Sequence, residues 1–195
     1  MTTRDWLKTR VIPILSLLFG IGITIGIYLY FGRAPERLEA LKDHAVWGAF
    51  LVSLLGNGTV IFPGAVLPIL SAIAIVLYPE TGWPGPISVG LAGGLGAAIG
   101  EVTGYLVGYS GRGIVSKRHA YIKIEGWLRR WGSITIFVMS LVPFIFDVVG
   151  IAAGILRYPL WKFMLLSWLG RTILYTSVAL IAGIIGKQLG FPFLG

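Results

Sequence analysis

The sequence predicts an all-α integral membrane protein: an inverted repeat of a re-entrant helical hairpin plus a transmembrane helix, with an extra N-terminal transmembrane helix. Three observations lead to this prediction. Apolar residues make up 56% of the 195-residue chain and charged residues only 12%, whereas soluble domains are about one quarter charged. Long apolar segments recur along the chain, and the mean hydropathy is +0.85. Two of these segments contain prolines and share one pattern.

That shared pattern indicates how the chain is organised. Residues 62–79 read FPGAVLPILSAIAIVLYP, and residues 142–159 read VPFIFDVVGIAAGILRYP. In each segment a proline, Pro63 or Pro143, is followed sixteen residues later by the proline of a Tyr-Pro pair. Paired apolar segments that are broken at corresponding positions are typical of transporters whose binding sites are built from discontinuous helices.

The first 44 residues are predicted to form the N-terminal transmembrane helix and an interfacial helix. Residues 11–31 are an apolar run of 21 residues, which spans roughly 31 Å as a helix and can cross a bilayer. The run is longer than the roughly 7–15 residues of a cleaved signal core, so we expect the segment to be retained. Residues 33–45 carry mixed charges and are expected to lie along the membrane surface.

The transport domain is predicted over residues 45–186, with a short tail at 187–195. A single helix through the first broken segment would be too long for one crossing, and two full crossings would need about forty residues plus a turn. Two half-depth arms fit better, although two full spans per hairpin stay open as the alternative. The predicted parts are hairpin 46–78, span 87–109, basic cytoplasmic loop 110–133, hairpin 134–156 and span 160–186.

The distribution of charge predicts the orientation in a cell membrane. Residues 110–133 carry six Lys or Arg against one Glu, and the first ten residues carry three against one. Because basic loops stay in the cytoplasm, we expect both the N-terminus and residues 110–133 on that side of a multi-pass protein. The two halves would then be inverted, and their hairpin tips would meet near the middle of the bilayer. The net charge of +8 is explained by this topology, and no nucleic-acid partner is expected.

Three ionisable residues lie inside the apolar segments, namely Glu101, Asp147 and Arg171. Ionisable groups at this depth are costly, and they indicate function by default. Desolvation favours a neutral acid unless a cation is near, so we predict that these residues, with Asn57, bind substrate or protons. The alternatives are that one acid simply pairs with Arg171 to hold the halves together, and that Asn57 caps a hairpin arm.

Other candidate residues follow from the same scheme. Gly93, Gly94, Gly96 and Gly100 are expected to allow close helix packing. The predicted hairpin tips contain Pro63, Gly64, Pro143, Gly150 and Gly154. Candidate headgroup contacts are Arg112, Arg130 and Arg157, for which orientation and anchoring are the alternative roles. The chain has no cysteine and two histidines, and it lacks HExxH and GxSxG motifs, so we expect no enzyme, metal site or cofactor.

The residues also resemble a known family. The runs GAAIGEVTGYLVGYSGRG (96–113) and FVMSLVPFIFDVVGIAAGILRYPLWKFMLLSWLGR (137–171) are similar to the DedA superfamily, also called VTT-domain or SNARE-associated Golgi proteins. The resemblance covers roughly residues 45–186. It implies two opposed re-entrant hairpins and the translocation of membrane lipids, with undecaprenyl phosphate as the lipid in bacterial members and phospholipids in eukaryotic relatives.

Individual positions match the family or depart from it. Glu101 falls on the family's glutamate in the pattern G-x-x-x-G-E-x-x-G-Y. Ala65 stands where typical bacterial members have an acidic residue, and Ser140 and Phe146 stand where they have arginines. The resemblance therefore indicates a divergent branch of the family.

We therefore predict a membrane lipid transporter, a flippase or scramblase of a phospholipid or polyprenyl phosphate, with protons as candidate coupling ions. The expected partners are membrane lipids with an anionic or polyprenyl phosphate headgroup, and a second copy of the chain is a candidate partner. Two alternatives stay open at this point: a proton-driven transporter of a small solute or ion, and a non-transporting membrane scaffold.

Overall fold

A computed structural model describes residues 35–58, 66–110, 119–142 and 146–188 of the protein. The predicted N-terminal transmembrane helix, Pro63, Gly64, Arg112 and Pro143 lie outside these residues. All of the described elements are α-helices, which confirms the all-α part of the predicted class. In chain order they are α1 (Pro35–Gly58), α2 (Val66–Thr81), α3 (Pro84–Gly100), α4 (Val102–Ser110), α5 (His119–Trp131), α6 (Ser133–Ser140), α7 (Phe146–Ile155) and α8 (Leu160–Gln188).

Two of the described segments are long and apolar enough to cross a bilayer. They are Pro84–Ser110, which comprises α3, α4 and the residue between them, and Leu160–Gln188, which is α8. Their 27 and 29 residues correspond to roughly 40 and 44 Å of helix, more than the hydrocarbon core requires. Large apolar side chains remain exposed along both segments, as lipid-facing positions require; examples are Leu91, Leu95, Leu165, Leu169, Ile173 and Ile181.

Helix boundaries near the two predicted hairpins differ in detail from the sequence pattern. α1 runs without interruption from the predicted surface segment into the first apolar arm. α2 continues through Pro79 to Thr81, because a proline near a helix end forgoes only one backbone hydrogen bond. The turn that follows α2 contains Gly82, which has a φ of +62°. α7 instead ends at Ile155, before the second Tyr-Pro pair.

Glycines bring α3 into close contact with helices on two sides. Gly90 and Gly94 face Thr176 and Thr172 of α8, and the order of these pairs shows that the two helices are antiparallel. A methyl group on Gly94 would lie 2.8 Å from the backbone nitrogen of Thr172. The predicted role of the α3 glycines in close helix packing is thereby confirmed.

The second glycine face of α3 packs on α1. Gly96 lies against Phe50 and Leu54, and Gly100 lies against Leu54 and Gly58, so α1 and α3 run in the same direction. Replacing Gly96 with alanine would put a methyl group 3.0 Å from the carbonyl carbon of Phe50. The clash would involve the backbones of both helices, which cannot move aside as a flexible side chain can. α1 and α3 would therefore have to move apart.

We expect Gly96→Ala to lower the free energy of unfolding by about 1–3 kcal/mol, which is the usual cost of overpacking. The measurement is the midpoint of thermal unfolding in detergent. Gly48→Ala on the same α1–α3 pair of helices is the matched control, because a methyl group there meets nothing within 4 Å. Equal midpoints for the two variants would contradict the close packing of α1 on α3.

The short helices pack on the two spans in a reciprocal pattern. α1 packs on α3 and α6 packs on α8, so the first arm of each predicted hairpin contacts the span of its own half. α2 packs on α8 and α7 packs on α4, so each second arm contacts the span of the other half. Gly183 lies against Tyr78 in the first of these crossed contacts, and Gly154 lies against Tyr105 in the second.

Two apolar clusters result, one on either side of the residue that separates α3 from α4. The first is drawn from α1, α2, α3 and α8, and includes Leu70, Val89 and Tyr175. The second is drawn from α4 to α8, and includes Tyr105, Phe146 and Phe163. The junction between the clusters is where the polar side chains of the interior meet.

Candidate functional site

Glu101 occupies the junction between α3 and α4. Its backbone stays helical, with φ −65° and ψ −16°, and its N–H donates to the carbonyl of Ala97 at 2.8 Å. The residue is only 3% exposed. It lies four residues past the middle of Pro84–Ser110, about 6 Å along the helix axis. Glu101 is therefore a carboxylate enclosed by protein near the centre of an apolar span.

Two residues of α8 contact this carboxylate. Arg171 Nε donates to Oε1 of Glu101 at 2.6 Å, and Ser167 Oγ donates to Oε2. Ser167 and Arg171 are one helical turn apart and so share a face. Both are buried, with Arg171 4% exposed. Each carboxylate oxygen thus has a donor, and the ion pair joins the spans of the two halves.

Aromatic rings flank the guanidinium of Arg171. Its Cζ lies 5.1 Å from the centre of the Phe146 ring and 5.9 Å from that of Tyr175. Within the described parts of the chain, its two Nη groups have no hydrogen-bond acceptor. A guanidinium held by one nitrogen keeps its remaining donors for a further anion.

Asn57 extends the polar network into α1. Its Nδ2 donates to the carbonyl of Ser53 at 2.8 Å and to the hydroxyl of Tyr175 at 3.1 Å. The first bond is a local one, to the carbonyl four residues earlier within α1. The second bond links α1 to α8 one turn beyond Arg171. Asn57 therefore connects α1 with the interior site.

A small cleft borders this network, with a cavity volume of about 20 Å³, enough for about one water molecule. Asp147, the second residue of α7, is half-buried on its wall. No side chain among the described residues forms a hydrogen bond or ion pair with the Asp147 carboxylate. The lining residues are Asn57, Glu101, Thr103, Gly104, Phe146, Asp147, Gly150 and Ile151. The cleft thus adjoins one paired carboxylate and one unpaired carboxylate.

The structure brings together some of the predicted site residues and separates others. Asn57, Glu101, Asp147 and Gly150 line the cleft, and Arg171 is bonded to Glu101. Gly154 lies at the opposite end of α7 from the predicted tip and packs against α4.

Arg130 and Arg157, two of the predicted headgroup contacts, are among the described residues, and neither lines the cleft. Arg130 lies on α5, with its guanidinium 5.6 Å from the centre of the Trp131 ring. Arg157 follows α7 and is exposed.

Ser167 and Tyr175 take part in the site but are absent from the predicted set. The signal in the sequence is their spacing: Ser167, Arg171 and Tyr175 recur every four residues and so lie along one face of α8. Three further buried polar atoms have no partner within the described residues, and they are Ser53 Oγ, Trp168 Nε1 and Thr172 Oγ1. In the same parts of the chain, no group of three or more His, Asp or Glu residues is arranged to hold a metal ion.

Comparison with known proteins bears directly on this arrangement. Residues 62–184 match the VTT domain. The chain is also 28% identical over 140 residues to undecaprenyl phosphate transporter A of Bacillus subtilis (strain 168), which covers 65% of this chain and 69% of that protein. No solved structure is significantly similar. Because the VTT match spans more than half of the chain and includes Glu101, Asp147 and Arg171, the protein belongs to the VTT-domain family, also known as the DedA family, of membrane transport proteins.

Proposed function

We propose that the protein is a membrane lipid transporter that moves a phospholipid or polyprenyl phosphate between leaflets, as a flippase or scramblase. The observation that carries the proposal is the Glu101–Arg171 ion pair, which joins the two spans beside a cleft whose lining includes polar side chains. Such a pair at bilayer depth is costly to maintain. The position of the pair fits a headgroup-binding site better than a purely structural link between the spans, because a structural link needs no adjacent cleft.

The relative and the chemistry of Arg171 support the proposed substrate class. The Bacillus subtilis relative is named for the transport of undecaprenyl phosphate. Arginine binds phosphate through paired, charge-assisted hydrogen bonds. Phe146, where the family resemblance implies an arginine, lies directly beneath the Arg171 guanidinium. We infer that Arg171 supplies from α8 the cation that this branch lacks at position 146.

The lengths of α6 and α7 support a re-entrant second hairpin. α6 and α7 have 8 and 10 residues, which correspond to roughly 12 and 15 Å and fall short of the roughly 30 Å hydrocarbon core. Neither helix can cross the bilayer alone. The ends of such arms must face protein or water, because lipid cannot satisfy their backbone groups.

The reciprocal packing supports an inverted repeat. Exchanging the two halves maps the α1–α3 contact onto α6–α8, and the α2–α8 contact onto α7–α4. The antiparallel contact of α3 with α8 maps onto itself. This is the pattern expected when two equivalent halves are related by a two-fold axis in the membrane plane.

The groups around the cleft suggest a mechanism. A lipid phosphate that enters the cleft competes with Glu101 for Arg171, and the pair opens as the phosphate takes over the guanidinium donors. Protonation of Glu101 would release Arg171 entirely, and protonation of Asp147 would remove a negative charge from the path of an anionic headgroup. Transport in this scheme needs no covalent chemistry, consistent with a non-enzymatic transporter.

Transbilayer movement of a fluorescent phosphate lipid in reconstituted liposomes tests the proposal. We expect faster exchange between leaflets than in protein-free vesicles of the same composition. A pH gradient applied in either direction separates the two modes, because a scramblase equilibrates the leaflets and a proton-coupled flippase accumulates lipid in one of them. Equal rates with and without protein would overturn the proposal. Flux of a soluble solute instead would favour a small-solute transporter.

A further inference from the structure

Arg157 has an unusual backbone conformation. Its φ is +52°, and it is the one non-glycine residue with a positive φ among the residues that the structure describes. The left-handed region is strained for L side chains, and glycine normally fills it. Strained residues that a fold retains tend to cluster at binding sites.

The turn at the end of α7 explains the conformation but not the choice of arginine. Tyr158 N–H donates to the carbonyl of Ala153 at 2.9 Å, and Arg157 N–H donates to that of Gly154 at 3.0 Å. These two bonds define a Schellman cap, in which the left-handed position is usually glycine. A glycine would form the same turn without strain. The arginine side chain must therefore have another role.

Neighbouring residues hold this turn in place. Tyr105 donates its hydroxyl to the carbonyl of Tyr158 at 2.6 Å, and the Tyr158 hydroxyl bonds Ser133 Oγ at 2.6 Å. Pro159 follows directly and cannot continue a helix. The position of residue 157 is thus fixed from both sides, and its side chain is presented in a defined direction.

The guanidinium of Arg157 is exposed and lies 5.4 Å from the centre of the Tyr109 ring. Tyr109 is one residue from the end of the span Pro84–Ser110, so the ring marks one end of that span. Among the described residues, no carboxylate lies within 4 Å of Arg157. A guanidinium resting on a ring keeps its donors directed outward.

The surroundings of Arg157 favour anions. α5 packs on α7, and residues 110–133, which include α5, carry six Lys or Arg and one Glu. That acid, Glu125, is bonded to Arg129 at 2.9 Å. The positive-inside rule places this basic region on the cytoplasmic side, where anionic lipids attract it.

A column of aromatic rings connects Arg157 with the interior site. Tyr109 stacks on Tyr105 at 6.1 Å, and Tyr105 contacts Phe163 at 5.5 Å. Phe163 stacks on Phe146 at 5.8 Å, and Phe146 lies beneath Arg171. The guanidinium groups of Arg157 and Arg171 therefore lie at opposite ends of one continuous set of packed aromatic rings.

We propose that Arg157, supported by Tyr109, is a capture site for the phosphate of a lipid headgroup at the cytoplasmic membrane surface. Capture by itself is independent of transport, and only the onward transfer toward Arg171 rests on the proposed function. The strained backbone persists because the guanidinium, and not the turn, is needed at this point.

Binding of short-chain phosphatidic acid to the detergent-solubilised protein, measured beside its thermal stability, tests this site. We expect Arg157→Gly to weaken binding roughly tenfold or more, as the loss of charge-assisted hydrogen bonds implies, while the midpoint of unfolding stays equal or rises. Arg157→Lys should give an intermediate affinity. Inorganic phosphate separates the two sources of the group: binding of phosphatidic acid with little binding of free phosphate supports a lipid site, and binding of free phosphate alone overturns it.

Lys162→Gln is the matched control. Lys162 is also exposed and also lies over a ring, with Nζ 5.4 Å from the centre of Trp161, but it stands on an ordinary helical backbone in α8. Its replacement should change the affinity less than twofold. Equal losses for Arg157→Gly and Lys162→Gln would overturn the site in favour of diffuse charge. A lower midpoint with unchanged affinity for Arg157→Gly would also overturn it, by making the arginine structural.

Different results would overturn the capture site at Arg157 and the proposed transport function. A wild-type protein that binds phosphatidic acid through Arg157 but moves no lipid would overturn the proposed function alone. Normal lipid flux combined with binding that ignores Arg157→Gly would overturn the capture site alone.

Discussion

Glu101→Gln is expected to abolish lipid transport, because no carboxylate would remain to displace the phosphate from Arg171, and to lower the free energy of unfolding by about 3–5 kcal/mol. The amide still accepts or donates one hydrogen bond, but it removes the only carboxylate bonded to Arg171 within the described residues. A guanidinium that is 4% exposed then remains charged without a partner in an apolar span. Thermal unfolding in detergent and lipid flux in liposomes measure the two effects.

A double variant separates the structural role of this pair from the functional one. Combining Glu101→Gln with Arg171→Met removes both charges, and apolar replacement of a buried pair is often neutral or stabilising. We expect the double variant to recover most of the lost stability and to remain inactive, because no guanidinium is left for the phosphate. Wild-type flux from the double variant would show that the ion pair has only a structural role in linking the two spans.

The second large effect concerns Asp147. Its carboxylate is half-buried on the cleft wall without a partner among the described side chains, so its removal breaks no ion pair. In the proposed mechanism the charged form repels an anionic headgroup, and wild-type flux should rise as the pH falls. Asp147→Asn resembles the protonated form, so we expect flux near the low-pH level at every pH, with stability close to that of the wild type.

Glu125→Gln is the control for Asp147→Asn. It also replaces one carboxylate, but on α5, where Glu125 pairs with Arg129 and is remote from the cleft. Surface pairs of this kind contribute at most about 1 kcal/mol. The control should keep the pH dependence of the wild type. An Asp147→Asn protein with unchanged pH dependence would remove Asp147 from the mechanism.

The sequence located the interior charges because such residues are rare in apolar segments. It could not decide whether Glu101 or Asp147 pairs with Arg171. That choice depends on how α3 and α8 are rotated, and the rotation is set by the contacts of Gly90 and Gly94 with α8. A sequence shows which residues share one face of a helix, but it does not show which faces of two helices are in contact.

The remaining differences have similar causes. Ser167 gives a weak signal because serine is common and tolerated in membrane helices, and its role appears only once Glu101 faces it. The repeated Tyr-Pro pair suggests equal turns in both predicted hairpins, yet α2 passes through Pro79 whereas α7 stops before Pro159. The cap at Arg157 ends α7 early, and a left-handed arginine cannot be anticipated from residue type.

The most direct test of the central claim is whether water reaches the cleft in the middle of the bilayer. The chain has no native cysteine, so single cysteines can be labelled with a membrane-impermeant maleimide. Thr103→Cys and Ile151→Cys place a thiol on the cleft wall, and Leu165→Cys places one on the exposed side of α8, near the level of Glu101 in the register set by the Gly94–Thr172 contact. We predict labelling at the two cleft positions and none at position 165; protection of all three would contradict a hydrated cleft between the two halves.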